Sequence, residues 1–133
     1  MNPKNEIIEA LVNYINSLKI EKKDIHVIDN EISVEIIGEV DPKDANNIIR
    51  IVLLFINDSR QIHIPILFIP MNLRYHGNGK AMIQLIYRIG IKHKYDIFVV
   101  DMVESFYNKL IERGAIPVDA DSVQIIHTTD LEV

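Results

Sequence analysis

The residues best placed to do chemistry lie in one stretch, Arg74-x-x-Gly77-x-Gly79-Lys80, directly after the apolar run Ile64-Pro65-Ile66-Leu67-Phe68-Ile69-Pro70. Two glycines two residues apart let backbone N–H groups approach an anion closely. An amphipathic helix starts at once after them, and its N-terminus adds the positive end of the helix dipole. Arg74 and Lys80 add full positive charges. This is the composition of a nest for a pyrophosphate.

Several other readings of the loop fail on spacing. A P-loop needs Ser or Thr after its lysine, whereas Lys80 is followed by Ala81. A dinucleotide fingerprint would need a third glycine at Met82. Glycines placed only for tight helix packing are the plain structural alternative. Elsewhere, no Gly-x-Ser-x-Gly elbow occurs. The histidines His26, His63, His76, His93 and His127 show no His-x-x-x-His or paired-carboxylate spacing, so no metal site is expected. The chain has no cysteine, which excludes disulfides, a thiolate nucleophile and Cys-ligated zinc.

The elements that must position the loop follow from periodicity. A helix is expected over 3–18, capped by Asn2 with Pro3 at its first position. Two short strands, 25–28 and 32–38, are joined through Asp29-Asn30-Glu31. Asp41-Pro42 then interrupts the chain. Residues 45–57 read two ways. Asp41 and Pro42 suit a helix start, while Ile48, Ile49, Ile51, Val52, Phe55 and Ile56 suit a strand. A strand over 62–69 follows, with a bulge expected at Pro65 because proline removes a ladder bond. Next come a helix over 78–89 ending at Gly90, and a buried strand over 97–100. Asp101 and Glu104 form a capping pair for a helix over 102–113 that ends at Gly114. Short strands at 116–118 and 123–128 close the chain.

The strand, the Arg74–Lys80 loop, the small residue Ala81 and the later helix Ser105–Ala115 together resemble the GNAT acetyltransferase superfamily. That family's loop reads (Gln/Arg)-x-x-Gly-x-(Gly/Ala). The resemblance covers 62–118 within a single domain of 1–133. It implies an α/β (α+β) fold with a mixed, mostly antiparallel central sheet and flanking helices, and it favours the strand over 45–57. It implies acetyl-CoA or another acyl-CoA as cofactor, held by Ile69, Met71, Arg74, Tyr75, His76, Gly77, Asn78, Gly79 and Lys80. It further implies direct attack of a primary amine on the thioester. The family's thiolate-protonating tyrosine falls on Leu110 here, so Tyr107, one turn earlier, is the acid candidate; packing at the core edge is its alternative role. Asp101 and Glu104 are the candidate bases, with helix capping as theirs. The acceptor would be a small-molecule or peptide amine. The N-terminal region departs from the family in having one helix before two strands, which leaves open a fold that has kept a binding role without chemistry, or an interaction module completed as a homodimer.

Composition agrees with such a domain. Of 133 residues, 48% are hydrophobic and 25% charged, and the formal net charge is −5. An acidic balance argues against nucleic-acid binding. The longest apolar run, Ile51 to Ile56, is far short of a membrane span. The polar start Met1-Asn2-Pro3-Lys4 shows no signal peptide, so a cytoplasmic location is expected.

Overall fold

A computed structural model describes residues 2–18, 24–39, 47–70, 73 and 77–132. Helix α1 (Pro3–Ser17) begins as its sequence requires, with Asn2 Oδ1 accepting from Asn5 N–H at 2.8 Å. Two strands follow, β1 (Asp24–Asp29) and β2 (Ser33–Glu39). Residues 48–56 form strand β3 (Ile48–Ile56), so the β-branched run prevails over the helical alternative. Asp41 and Pro42 lie outside the described residues. The chain continues through β4 (Gln61–Phe68), α2 (Asn78–Lys92), β5 (Asp96–Val99), α3 (Glu104–Glu112), β6 (Ile116–Pro117) and β7 (Val123–Ile125).

The strands form one seven-stranded sheet in the order β1-β2-β3-β4-β5-β7-β6. Among the described strands only β4 and β5 run parallel, joined through α2 as their crossover helix. Every other pair is antiparallel. This is the mixed, mostly antiparallel central sheet with flanking helices that the sequence reading expects. No described helix is long and apolar enough to cross a membrane.

Alternation along the strands sorts their two faces. Val34, Ile36, Ile49, Ile51, Leu53, Ile62, Ile64, Ile97 and Val99 are buried on one side. They share a core with Ile7, Leu11 and Ile15 of α1 and with Met82, Ile83 and Ile86 of α2. Each such side chain contributes about 1.5–3 kcal/mol by leaving water. On the opposite side of the sheet Glu35, Ile37, Arg50, Val52, Leu54, His63 and Phe98 are only half-buried. There Arg50 pairs with Glu35, and His63 lies against Phe98 with ring centroids 5.2 Å apart.

The bulge expected at Pro65 is present. Val52 pairs with Ile66 and Leu54 with His63, so Leu53 alone faces both Ile64 and Pro65. Its consequence is felt on the other edge of β4. Pairing with β5 covers only Gln61 to Ile64, and the last bond between them runs from Val100 N–H to Ile64 O at 3.1 Å. Beyond it β4 continues beside β3, while β5 stops at Val99.

Most boundaries shift by a residue from the sequence reading, and three departures have a structural cause. Gly90 does not end α2, which runs to Lys92 with His93 as cap. A Cβ at Gly90 would lie 2.4 Å from Ile97 Cδ1, so this glycine brings the helix close to the sheet. Asp101 and Glu104 do not form a capping pair. Asp101 sits at φ 54°, Met102 N–H donates to Asp121 O, and α3 starts two residues later than expected with Val103 as cap and no side-chain cap bond. Strand β7 ends at Ile125, because Ile126 and Thr129 close a turn on each other instead. Gly114 does end its helix, in the left-handed conformation at φ 95°.

Candidate functional site

Where β4 outruns β5, the chain must cross from the sheet to the start of α2, and α3 comes down on the other side. A cavity of about 450 Å³ lies between them, within the size range of small-molecule sites. Ile69 and Leu73 line it from the β4 side, and Gly77 to Lys80 form its α2 end. Ser105, Phe106, Lys109, Leu110 and Arg113 form the α3 wall.

The α2 end combines a glycine cap with a free first turn of backbone donors. Gly77 caps the helix at φ 78°, ψ 9°, a left-handed conformation that costs L-residues about 1–2 kcal/mol. As glycine it brings no side chain to cap the first turn. Ala81 N–H bonds Gly77 O at 3.0 Å, leaving the amides before it directed at the helix mouth. Three cationic side chains border the same cavity: Lys80, Lys109 and Arg113. Lys80 Nζ and Arg113 Nη1 both donate to Glu132 O, at 3.1 and 3.3 Å, and Arg113 lies 3.5 Å from Asp130 Oδ2. The C-terminal segment thus links the two sides of the cavity, anchored by the buried Leu131.

Two candidates from the loop carry structural work. Asn78 accepts from Tyr14 Oη at 2.6 Å and donates to Leu73 O at 2.9 Å, tying α1 and the preceding segment to the helix start. Its side chain is spent, so its contribution to an anion is its backbone. Partial burial raises the Tyr14 hydroxyl above its ordinary pKa. Gly79 has a packing reason as well: a Cβ there would meet Ile69 Cδ1 at 3.3 Å and Leu67 Cδ2 at 3.7 Å. The space that Gly79 leaves open therefore faces the apolar end of β4.

The described structure gathers Ile69, Gly77, Asn78, Gly79 and Lys80 at one cavity. Met71, Arg74, Tyr75 and His76 lie outside the described residues. It does not gather the three catalytic candidates into the cavity lining. Tyr107 is half-buried and packs against the core from α3, about 100° around the helix from Phe106. Leu110, 1% exposed, holds the wall position instead. Asp101 is exposed one residue past the last β4–β5 bond, and Glu104 is exposed in the first turn of α3. Asp101 is close enough to Asp121 to help raise its pKa, although the larger cause is the Asp119–Asp121 hydrogen bond.

Sequence reasoning passed over Leu73, Ser105, Phe106, Lys109 and Arg113. The spacing of Phe106, Lys109, Leu110 and Arg113 is a helical stripe with an apolar start and a cationic end. That was a visible signal, but it does not say which cavity the stripe borders.

No family model matches the chain, and no curated protein matches it. Among solved structures it is similar to the crystal structure of nourseothricin acetyltransferase, at 11% identity and a TM-score of 0.44, over 86% of this chain and 90% of that one.

Proposed function

We propose that the protein is an acyl-CoA-dependent N-acyltransferase, with acetyl-CoA the first cofactor to test and a primary amine, small-molecule or peptide, as acceptor. The observation that carries this reading is the cavity itself: an apolar trough from the β4 end to an uncapped helix start, bordered by Lys80, Lys109 and Arg113. A molecule with a neutral, slender arm and a pyrophosphate fits that polarity. The first-turn amides of α2 and Lys80 hold the pyrophosphate, with Lys109 and Arg113 adding charge from α3. Ile69, Leu73, Phe106 and Leu110 enclose the arm and exclude water. When bound, an acyl-CoA supplies a thioester as acyl donor.

Asp101 is the assigned base, since it directly follows the point where β4 and β5 part. It takes a proton from the incoming ammonium, directly or through water. Tyr107 faces away from the described lining, so solvent protonates the departing thiolate. A second reading, binding without chemistry, is favoured by Leu110 at the position where the family places its acid.

Calorimetry with acetyl-CoA, CoA and ATP tests the cofactor. Saturable binding of both CoA species but not ATP, weakened in Arg113→Ala, supports the site. Acyl transfer to a panel of amines then separates the two readings. Turnover that falls in Asp101→Asn with acetyl-CoA affinity unchanged supports catalysis, and binding without turnover on any amine supports the second reading.

A further inference from the structure

A different cluster lies on the edge hairpin, on the face of the sheet opposite α1 and α2. Asp24 and His26 are two residues apart on β1, so their side chains share a face. The hairpin register sets Asp24 directly opposite Glu39 of β2, and His26 opposite Ile37. His26 Nε2 consequently lies 3.4 Å from Asp24 Oδ2 and 3.8 Å from Glu39 Oε1. One ligand atom from each of the three residues falls within 4.8 Å of the others. The spacing within the linear sequence does not reveal this, because Glu39 is thirteen residues beyond His26 and reaches it only through strand pairing.

We propose that Asp24, His26 and Glu39 bind a zinc-class divalent transition metal at the open end of the β1–β2 hairpin. Zinc takes imidazole nitrogen and carboxylate oxygen at about 2.0–2.2 Å, which puts neighbouring tetrahedral donors about 3.3–3.6 Å apart. The two separations from His26 are already near that value. The side chains are well exposed, so small rotations bring the third separation into range, and water takes the fourth position. Among the described residues, no lysine or arginine pairs with Asp24 or Glu39 in their place. One imidazole with two carboxylates favours zinc and its neighbours over magnesium and calcium, which prefer all-oxygen sites. Such an ion cross-links the edge strand to β2 far along the sheet from the cavity on the helix face. It is independent of the acyltransferase reading.

The test is calorimetric titration of zinc chloride into the chelator-stripped full chain, with His26 ring resonances followed by NMR. The expected result is one ion per chain, a shifted His26 signal, and no heat from magnesium. His26→Ala and Glu39→Gln should each weaken binding by at least about tenfold, the loss that even an outer-shell ligand contact brings. His127→Ala, an exposed histidine outside the cluster, should bind as the parent does. His26 and His127 are exposed and Glu39 is half-buried, and an unchanged amide spectrum checks the fold. No saturable binding below about 1 mM zinc, or undiminished binding in His26→Ala, overturns the proposal.

Discussion

Replacing Gly77 by alanine tests whether the start of α2 is conformationally set for an anion. Gly77 holds φ 78°, and a Cβ in that region costs about 1–2 kcal/mol. Alanine also restricts the unfolded chain, which returns about 0.4–1 kcal/mol. The net loss is about 1 kcal/mol, or roughly 3–5 °C in Tm for a domain of this size. The larger effect falls on binding. If the strained residue relaxes, the first-turn amides swing away from the cavity. Losing one hydrogen bond to a charged group costs about 1.5–3 kcal/mol, roughly 10- to 150-fold in Kd for an acyl-CoA. Thermal melts and calorimetry with acetyl-CoA read the two quantities separately. Gly77→Asn supplies the rescue, because asparagine tolerates the left-handed region, and it should recover most of both losses. Equal stability and affinity in Gly77→Ala would refute the conformational argument. An asparagine variant no better than alanine would show that the space at Gly77, rather than its φ, is what matters.

Gly79→Ala should be nearly neutral, because the better helix propensity offsets a tight 3.3 Å approach to Ile69. Gly79→Val should cost about 1–3 kcal/mol by overpacking against Ile69 and Leu67; equal melting of the two variants would contradict that geometry. Tyr14→Phe should lose about 0.5–1.5 kcal/mol, since Asn78 Oδ1 forfeits its 2.6 Å partner. A double-mutant cycle with Asn78→Ala checks it, and additive losses would mean the two side chains do not interact. Glu6 is held below its ordinary pKa chiefly by its hydrogen bond to Lys92, with His93 contributing. Its contribution is therefore fully present above the unfolded-state pKa and lost as pH falls through the lower folded value, on the acid side of the ordinary carboxylate range. Glu6→Gln should flatten that part of a Tm–pH curve, and an unaltered acid slope would remove Glu6 from the account.

Local physics in the sequence determined much of this protein. The caps at Asn2 and Gly114, the β-branched run of β3 and the bulge at Pro65 follow from the conformational limits of single residues and are legible without coordinates. So is the order of strand, glycines and helix at the α2 end of the cavity. Tertiary structure decided what depends on distant partners. Gly90 lies inside its helix, where the missing side chain leaves room for Ile97, and Asp101 stands outside the cap at φ 54° while Met102 N–H bonds Asp121 O. Gly79 faces β4 where the linear pattern suggested a phosphate, and Asn78 serves Tyr14, sixty-four residues away. The stripe on α3 became a cavity wall, and Tyr107 was carried off that wall, by the rotation of a helix about its axis. Asp24, His26 and Glu39 met only through the register of a hairpin. Spacing along the chain encodes what a residue's neighbours in one element will be, whereas the meeting of elements depends on burying their apolar faces together, and that sum is taken over the whole core.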